Sequence, residues 1–413
     1  MNIGVIGLGK LGCSMFAAFA ASGNTVYGYD INKSTRSNLR NKLKPVEETS
    51  LQEELNKGFK NYIVVEKASE VIENSEVIYV IVPTPSLEDG TFDTKYLENV
   101  IQNLKDVNCS CKDKLLVITS TVLPGDTRSH LISKLRDENN QISKINFCYS
   151  PEFIALGSVL HDLKNPDFLL VGEESLYSAN NHIAAMMTIV NDQNIPIRRM
   201  SIESAEMAKI AINSYITSKI SFANAIGLTA DSIENCCSND VLSAIGSDSR
   251  IGNKYLSKGL GFGGPCFPRD NRAIQQVINR NTALEYELPL DNEKFNTKLP
   301  NYYANKITSI CIEENIQNIV IVGITYKDGS YLLEESQAYE IAQRLSEKYR
   351  VFYFDNDVNK DDLVENLKEL NINSKLSNTI LLVNCSREKK KILSAKNIIE
   401  SKKLKFIELN IWE

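Results

Sequence analysis

No apolar run in the 413 residues approaches the ~18–20 positions needed to cross a bilayer. A membrane span is therefore not expected. The first residues, MNIGVIGLGKLG, lack a basic segment followed by an unbroken apolar one, so they do not read as a secretion signal. A cytoplasmic setting is the expectation. Basic charge is also short: 46 Lys and Arg face 52 Asp and Glu, a net charge of −6. That leaves no concentrated positive face for a nucleic acid. Histidine is scarce, with only His130, His161 and His182. None sits beside a Ser or Cys motif, so a Ser-His-Asp or Cys-His mechanism has no visible base. The nine cysteines are scattered. Cys109-x-Cys111 and Cys236-Cys237 have no companions at zinc-site spacing, so a metal site is not expected and eight of the nine read as reduced thiols.

What is present is ordinary material for several cores: 43% of residues are apolar and 24% charged. The first half alternates β-branched runs (IGVIG, TVYGYD, VIYVIV, KLLVITS, FLLVG) with helical patterns, which implies a parallel sheet covered on both faces. Residues 202–230 form a long helical pattern without proline, and a second helical stretch starts near Asp240. A Gly- and Pro-rich loop runs from 247 to 268. After Pro300 a second βα series begins: NIVIVG, RVFYFD, TILLVN, KFIELN. The expected architecture is α/β: a Rossmann-like domain over 1–200, a helical centre over 201–300, and a second Rossmann-like domain over 301–413. The lysine triplet at 389–391 reads as a solvated helix face.

Four motifs carry chemistry. Gly7-x-Gly9-x-x-Gly12 follows a strand pattern and opens a helix, the context of a dinucleotide-binding turn. Gly7 permits the tight turn, Gly9 lets backbone approach a pyrophosphate, and Gly12 lets helix and strand pack closely. Asp30 ends the next strand, 18 residues after Gly12. An acid there accepts from ribose hydroxyls and disfavours a 2′-phosphate, which points to NAD rather than NADP. In the second motif, Gly259-Leu-Gly261-Phe262-Gly263-Gly264-Pro-Cys266-Phe-Pro-Arg-Asp270, four glycines in six positions suggest main chain close to a ligand. Cys266 would sit at the positive end of a helix, which favours a thiolate nucleophile, with Asp270 one turn on. A buried small residue in a turn would look the same. Third, Lys209 and Asn213 share a helix face and could hold an oxyanion, although an exposed lysine has the same pattern. Fourth, Thr84, Thr121 and Glu152 follow the ends of strands, where α/β folds bind ligands.

Taken together these residues resemble the UDP-glucose/GDP-mannose dehydrogenase family over nearly the whole chain. Arg250-Ile-Gly252, sixteen residues before Cys266, adds to the likeness. The resemblance implies NAD-dependent oxidation of a nucleotide sugar's C6 alcohol to a carboxylate, in two hydride transfers with the aldehyde retained. It implies Cys266 as the nucleophile that forms a thiohemiacetal and then a thioester. Lys209 and Asn213 would stabilise the oxyanion, Asp270 would assist proton transfer, Thr121 would hold a water, and Glu152 would assist hydrolysis. It puts Leu11, Lys33, Thr84 and Thr121 with Gly7, Gly9, Gly12 and Asp30 at NAD. It puts Phe153, Tyr255, Gly259, Phe262, Gly263 and Lys327 with Glu152, Lys209 and Asn213 at the nucleotide sugar, and Arg250 at the sugar of a partner subunit in a homodimer. UDP-glucose to UDP-glucuronate leads, with UDP-N-acetylhexosamines and GDP-mannose as alternatives. A polysaccharide or glycan precursor is the implied product. A two-electron hydroxyacid dehydrogenase, or a non-catalytic nucleotide-sugar-binding regulator, are the rival readings. Two places depart from the family: Leu156 stands where many relatives carry a second Glu, and the string from Lys327 to Ser336 lacks the usual Pro, acidic pair and Arg.

Overall fold

The computed structural model describes residues 1–104, 107, 109–136, 141–283, 285–358, 367–371, 374–376 and 379–413. The chain forms two compact units, Met1–Ala211 and Ile212–Glu413.

The first unit is built on eight strands: β1 (Asn2–Ile6), β2 (Thr25–Tyr29), β3 (Tyr62–Val64), β4 (Val77–Val80), β5 (Leu115–Ile118), β6 (Asn146–Tyr149), β7 (Leu169–Glu173) and β8 (Ile197–Ser201). Their order is β3-β2-β1-β4-β5-β6-β7-β8. All neighbours run parallel except β6 and β7. The first six strands follow the 3-2-1-4-5-6 order of a doubly wound dinucleotide fold. Every residue of β4 (VIYV) and β5 (LLVI) is buried. Alternate residues feed opposite cores: Val77 and Tyr79 pack with Phe16 and Phe19 on one face, Ile78 and Val80 with Leu116 and Ile118 on the other. A parallel sheet must be covered in this way, because its crossover helices lie on both sides. The helix Lys10–Ala21 is buried without interruption from Gly12 to Ala20.

The second unit begins inside the long helix Ile202–Asp231 and continues through helices Ser238–Ser247, Phe267–Asn281, Leu288–Asn296 and Leu299–Glu313. A second sheet follows: β9 (Asn318–Val322), β10 (Arg350–Phe354), β11 (Lys368–Glu369), β12 (Ile380–Asn384) and β13 (Phe406–Asn410). Its order is β11-β10-β9-β12-β13, and each pairing is parallel. The α/β class with two Rossmann-like sheets and a helical centre is as the sequence reads.

One reading is corrected here. The lysine triplet is not a uniformly solvated face. Lys389 and Lys390 are exposed on the helix Lys389–Ser401, but Lys391 is 3% exposed and bonded to three aspartates. Every cysteine is a free thiol. Among the described residues no helix is long and apolar enough to cross a membrane, and no cluster of His, Cys, Asp or Glu could hold a metal ion.

Candidate active site

The turn after β1 shows why three glycines recur. Gly7 has φ +91°, and a Cβ there would lie 2.0 Å from the Ile81 carbonyl oxygen. A Cβ on Gly12 would lie 1.9 Å from the Gly7 oxygen. Gly9, which caps the helix Lys10–Ala21, meets nothing within 4 Å. Gly7 and Gly12 are thus required by the protein's own packing, while Gly9 leaves open space at a helix N-terminus, as a pyrophosphate needs. Asp30 is fixed at the end of β2: Oδ2 accepts from the Leu8 N–H at 2.7 Å and Oδ1 from the Asn32 N–H at 2.8 Å. A single acid held by backbone beside that turn suits a ribose diol, so the residues fit NAD. Leu11 is half-buried in the first turn, and Lys33 is exposed at the start of the helix Lys33–Arg40.

The loops after β4 and β5 are stitched together. Ser120 Oγ accepts from the Val82 N–H at 2.9 Å and donates to the Val82 oxygen at 2.7 Å. Thr84 Oγ1 donates to the Thr121 oxygen at 2.6 Å. Farther along this loop, the buried Glu206 carboxyl accepts from the N–H groups of Gly125 (2.6 Å) and Thr127 (3.0 Å). Sequence reasoning missed Glu206; its only signal was a carboxyl one helical turn before Lys209. It also missed Glu48, which accepts from the N–H groups of Gly157 (3.1 Å) and Val159 (3.2 Å) and so holds the segment after Glu152.

Lys209 is not a surface lysine; it is 8% exposed. Its ammonium donates to the Glu152 backbone oxygen at 2.6 Å and lies 4.3 Å from the Phe153 ring centroid. Burial lifts the Glu152 carboxyl to about 7, against the pull of Lys209.

In the second unit, Cys266 is exposed and forms the N-cap of the helix Phe267–Asn281, with Pro268 in the first turn. A thiol there lies at the positive end of the helix dipole. The Asp270 N–H closes that turn on the Cys266 oxygen at 2.9 Å. Asp270 is fully buried; its Oδ2 accepts from Asn213 Nδ2 at 2.6 Å and its Oδ1 from Arg269 Nε at 3.0 Å. It is therefore tied to the long helix rather than turned to solvent.

The glycines before Cys266 have a reason within the protein itself. Each approaches protein. A Cβ on Gly259 would meet the Trp412 ring at 2.0 Å, on Gly261 the Asn296 Oδ1 at 1.9 Å, on Gly263 the Glu335 oxygen at 2.2 Å, and on Gly264 the Tyr326 ring at 2.6 Å. Phe262 is buried, its backbone held at both ends by Asn296 (2.9 and 2.8 Å). The neighbouring residues are open: Tyr255 is 48% exposed with φ +66°, and Arg250 is exposed and forked onto Asp248. Lys327 is half-buried in the loop after β9.

Known proteins share this organisation. Residues 1–190 match the NAD binding domain of the UDP-glucose/GDP-mannose dehydrogenase family, and residues 203–297 match its central domain. The chain is 30% identical to a UDP-glucose 6-dehydrogenase of Rickettsia felis, over 84% of this chain and 76% of that one. It is 29% identical to a GDP-mannose 6-dehydrogenase of Pseudomonas putida, over 87% and 81%. The fold superimposes on a UDP-glucose dehydrogenase from Pyrobaculum islandicum with TM-score 0.82, covering 100% of this chain and 94% of that one at 24% identity. A glycine turn and acid that fit NAD, the two matched domains and relatives of this extent lead to one assignment: the chain belongs to the UDP-glucose/GDP-mannose dehydrogenase family of NAD-dependent nucleotide-sugar dehydrogenases.

Proposed function

We propose that the chain oxidises the C6 alcohol of a nucleotide sugar to the carboxylate, with UDP-glucose giving UDP-glucuronate as the leading reaction. Residues 1–200 serve as the NAD domain, 201–300 as the dimerising centre and 301–413 as the UDP-sugar domain of a cytoplasmic enzyme. Bound NAD supplies the hydride acceptor for each of two oxidations. The chain's own groups manage the rest. The Cys266 thiolate adds to the C6 aldehyde to give a thiohemiacetal, whose oxidation leaves a thioester. Water, held by Thr121 and deprotonated with help from Glu152, cleaves the thioester to carboxylate and thiol. Lys209 and Asn213 stabilise the tetrahedral oxyanions, and Asp270 relays protons. A covalent tether keeps the aldehyde from leaving between the two oxidations.

The observation that carries this reading is the placement of Cys266: an exposed thiol at a helix N-terminus, one turn before a buried carboxyl anchored by Asn213. The test is a panel of nucleotide sugars with NAD, read as NADH and acid formed. Two NADH per acid are expected. One NADH with an aldehyde or ketone product would instead favour a simple two-electron dehydrogenase, and binding without NADH a regulatory protein. UDP-N-acetylhexosamines and GDP-mannose belong in the panel, because the GDP-mannose relative is as similar as the UDP-glucose one. Arg250 is exposed and, among the described residues, is held by Asp248 two residues away, which suits a role at the sugar of a partner subunit.

A further inference from the structure

The carboxyl ends of β9 and β10 repeat those of β1 and β2. Gly323 has φ +81°, as Gly7 has +91°. The Gly323 N–H donates to the Phe354 oxygen at 3.0 Å, as that of Gly7 does to Tyr29 at 2.8 Å. The Ile324 N–H donates to Asp355 Oδ2 at 2.8 Å, as that of Leu8 does to Asp30 Oδ2 at 2.7 Å. The Asp357 N–H reaches Asp355 Oδ1 at 3.1 Å, as that of Asn32 reaches Asp30 Oδ1 at 2.8 Å. Asp355 therefore occupies the position of a ribose-binding acid.

It is not free to act as one. Asp355 is 4% exposed, and its Oδ1 accepts from Lys391 Nζ at 2.8 Å. Lys391 spends its other donors on Asp357 Oδ2 at 2.8 Å and Asp328 Oδ1 at 3.2 Å. An ammonium has three donors, and each goes to a different aspartate. Two of these aspartates grip the loop after β9. Asp328 accepts from Ser386 Oγ at 2.6 Å and from the Arg387 N–H at 2.8 Å. Asp357 accepts from the Gly329 N–H at 2.9 Å. Lys327 lies directly beside these anchored positions, its oxygen accepting from Thr325 Oγ1 at 3.1 Å.

We propose that Lys391 is a positioning residue for substrate: by closing on Asp328, Asp355 and Asp357 it turns the acid of a dinucleotide half-site into the anchor of the loop that presents Lys327, committing this sheet to the nucleotide sugar rather than to a second dinucleotide. The inference rests on the reading of Lys327 as a substrate-binding residue, and the experiment separates the two. Steady-state kinetics are measured on Lys391→Met, Lys391→Arg, Asp328→Asn and Lys327→Ala with the nucleotide sugar turned over fastest in the panel. Lys391→Met and Asp328→Asn are expected to raise KM for the sugar about fivefold or more, with kcat within about twofold and KM for NAD unchanged, and Lys391→Arg to recover part of the loss. Should Lys391→Met fail to fold, Asp328→Asn carries the test, since it leaves Lys391 on Asp355 and Asp357. A raised KM in Lys327→Ala with none in the other variants overturns the inference alone. So does a fall in kcat with both KM values unchanged. An unchanged KM in Lys327→Ala removes the reading of Lys327 itself.

Discussion

Glu152 is pulled in two directions. Burial favours its neutral form, Lys209 favours its charged one, and the balance falls at about 7. A base for thioester hydrolysis must be ionised. Hydrolysis should therefore fail as pH drops through about 7, and covalent enzyme trapped by acid quench should accumulate below it. In Glu152→Gln that acidic limb should vanish along with most turnover; a limb that persists would place the base elsewhere. The stability sign is opposite to that of a salt-bridged carboxylate. The folded value lies above the ordinary carboxyl value, so this group's contribution is complete below the unfolded value and is lost as pH rises through about 7. Cys266→Ala should lower acid formation by about 10³-fold or more while NAD binding, read by titration calorimetry, is unchanged. At this scale spacing alone left Cys266 level with a buried turn residue and Lys209 level with a surface lysine; it is the structure that buries Lys209 and ties Asn213 to Asp270. Spacing was silent on Glu206 and Lys391, since a carboxylate or ammonium on a helix reads as solvated until a loop from elsewhere in the chain arrives to bury it.

At the scale of elements, strands buried on both faces were read from unbroken apolar runs, and the partly buried β2, β10 and β13 from their β-branched and aromatic residues. The apolar runs of β1, β4, β5, β9 and β12 leave no other use for so many consecutive β-branched and Leu residues. The edge strand β8 (IRRMS) has no buried position, so its sequence carries no period to find. The glycine loop was legible as a close approach but not as to what it approaches, because Trp412, Asn296 and the pair Tyr326 and Glu335 come from three later segments. That difference is testable. Gly261→Ala would drive a methyl into Asn296 Oδ1, which accepts from the Phe262 N–H while the same amide's Nδ2 donates to the Phe262 oxygen. It should cost about 1–3 kcal/mol by thermal unfolding even without ligand, the range for overpacking a filled site. A loop shaped only by ligand contact would instead melt as the parent does. Glu206→Ala should also cost about 1–3 kcal/mol, because two N–H groups of the loop that carries Thr121 lose their acceptor.

The whole molecule joins one glycine turn with an acid left open for NAD to a second, equivalent turn whose acid is sealed by lysine. In the proposed reaction a single NAD site would exchange its cofactor between two oxidations, so the half-oxidised sugar would have to be retained throughout. Arg250, exposed and nine residues before the glycine loop, is proposed to act in that retention from a second copy. The long helix offers a surface for that copy: Tyr215 is 65% and Phe222 49% exposed, seven residues apart and so on one face, with Ile233 at 55% just beyond the helix end. Apolar exposure along one stripe is what a symmetric helix pair would bury. The trans role has a signature that no structural explanation shares. Arg250→Ala and Cys266→Ala are each expected to be inactive. After the two variants are mixed and allowed to exchange subunits, half the dimers carry one of each, and in those one site has an intact Cys266 from one copy and an intact Arg250 from the other. Activity should return to about one quarter of the parent's by this counting. If Arg250 served the sugar bound by its own chain, every site in every mixture would lack one of the two groups, and mixing would recover nothing.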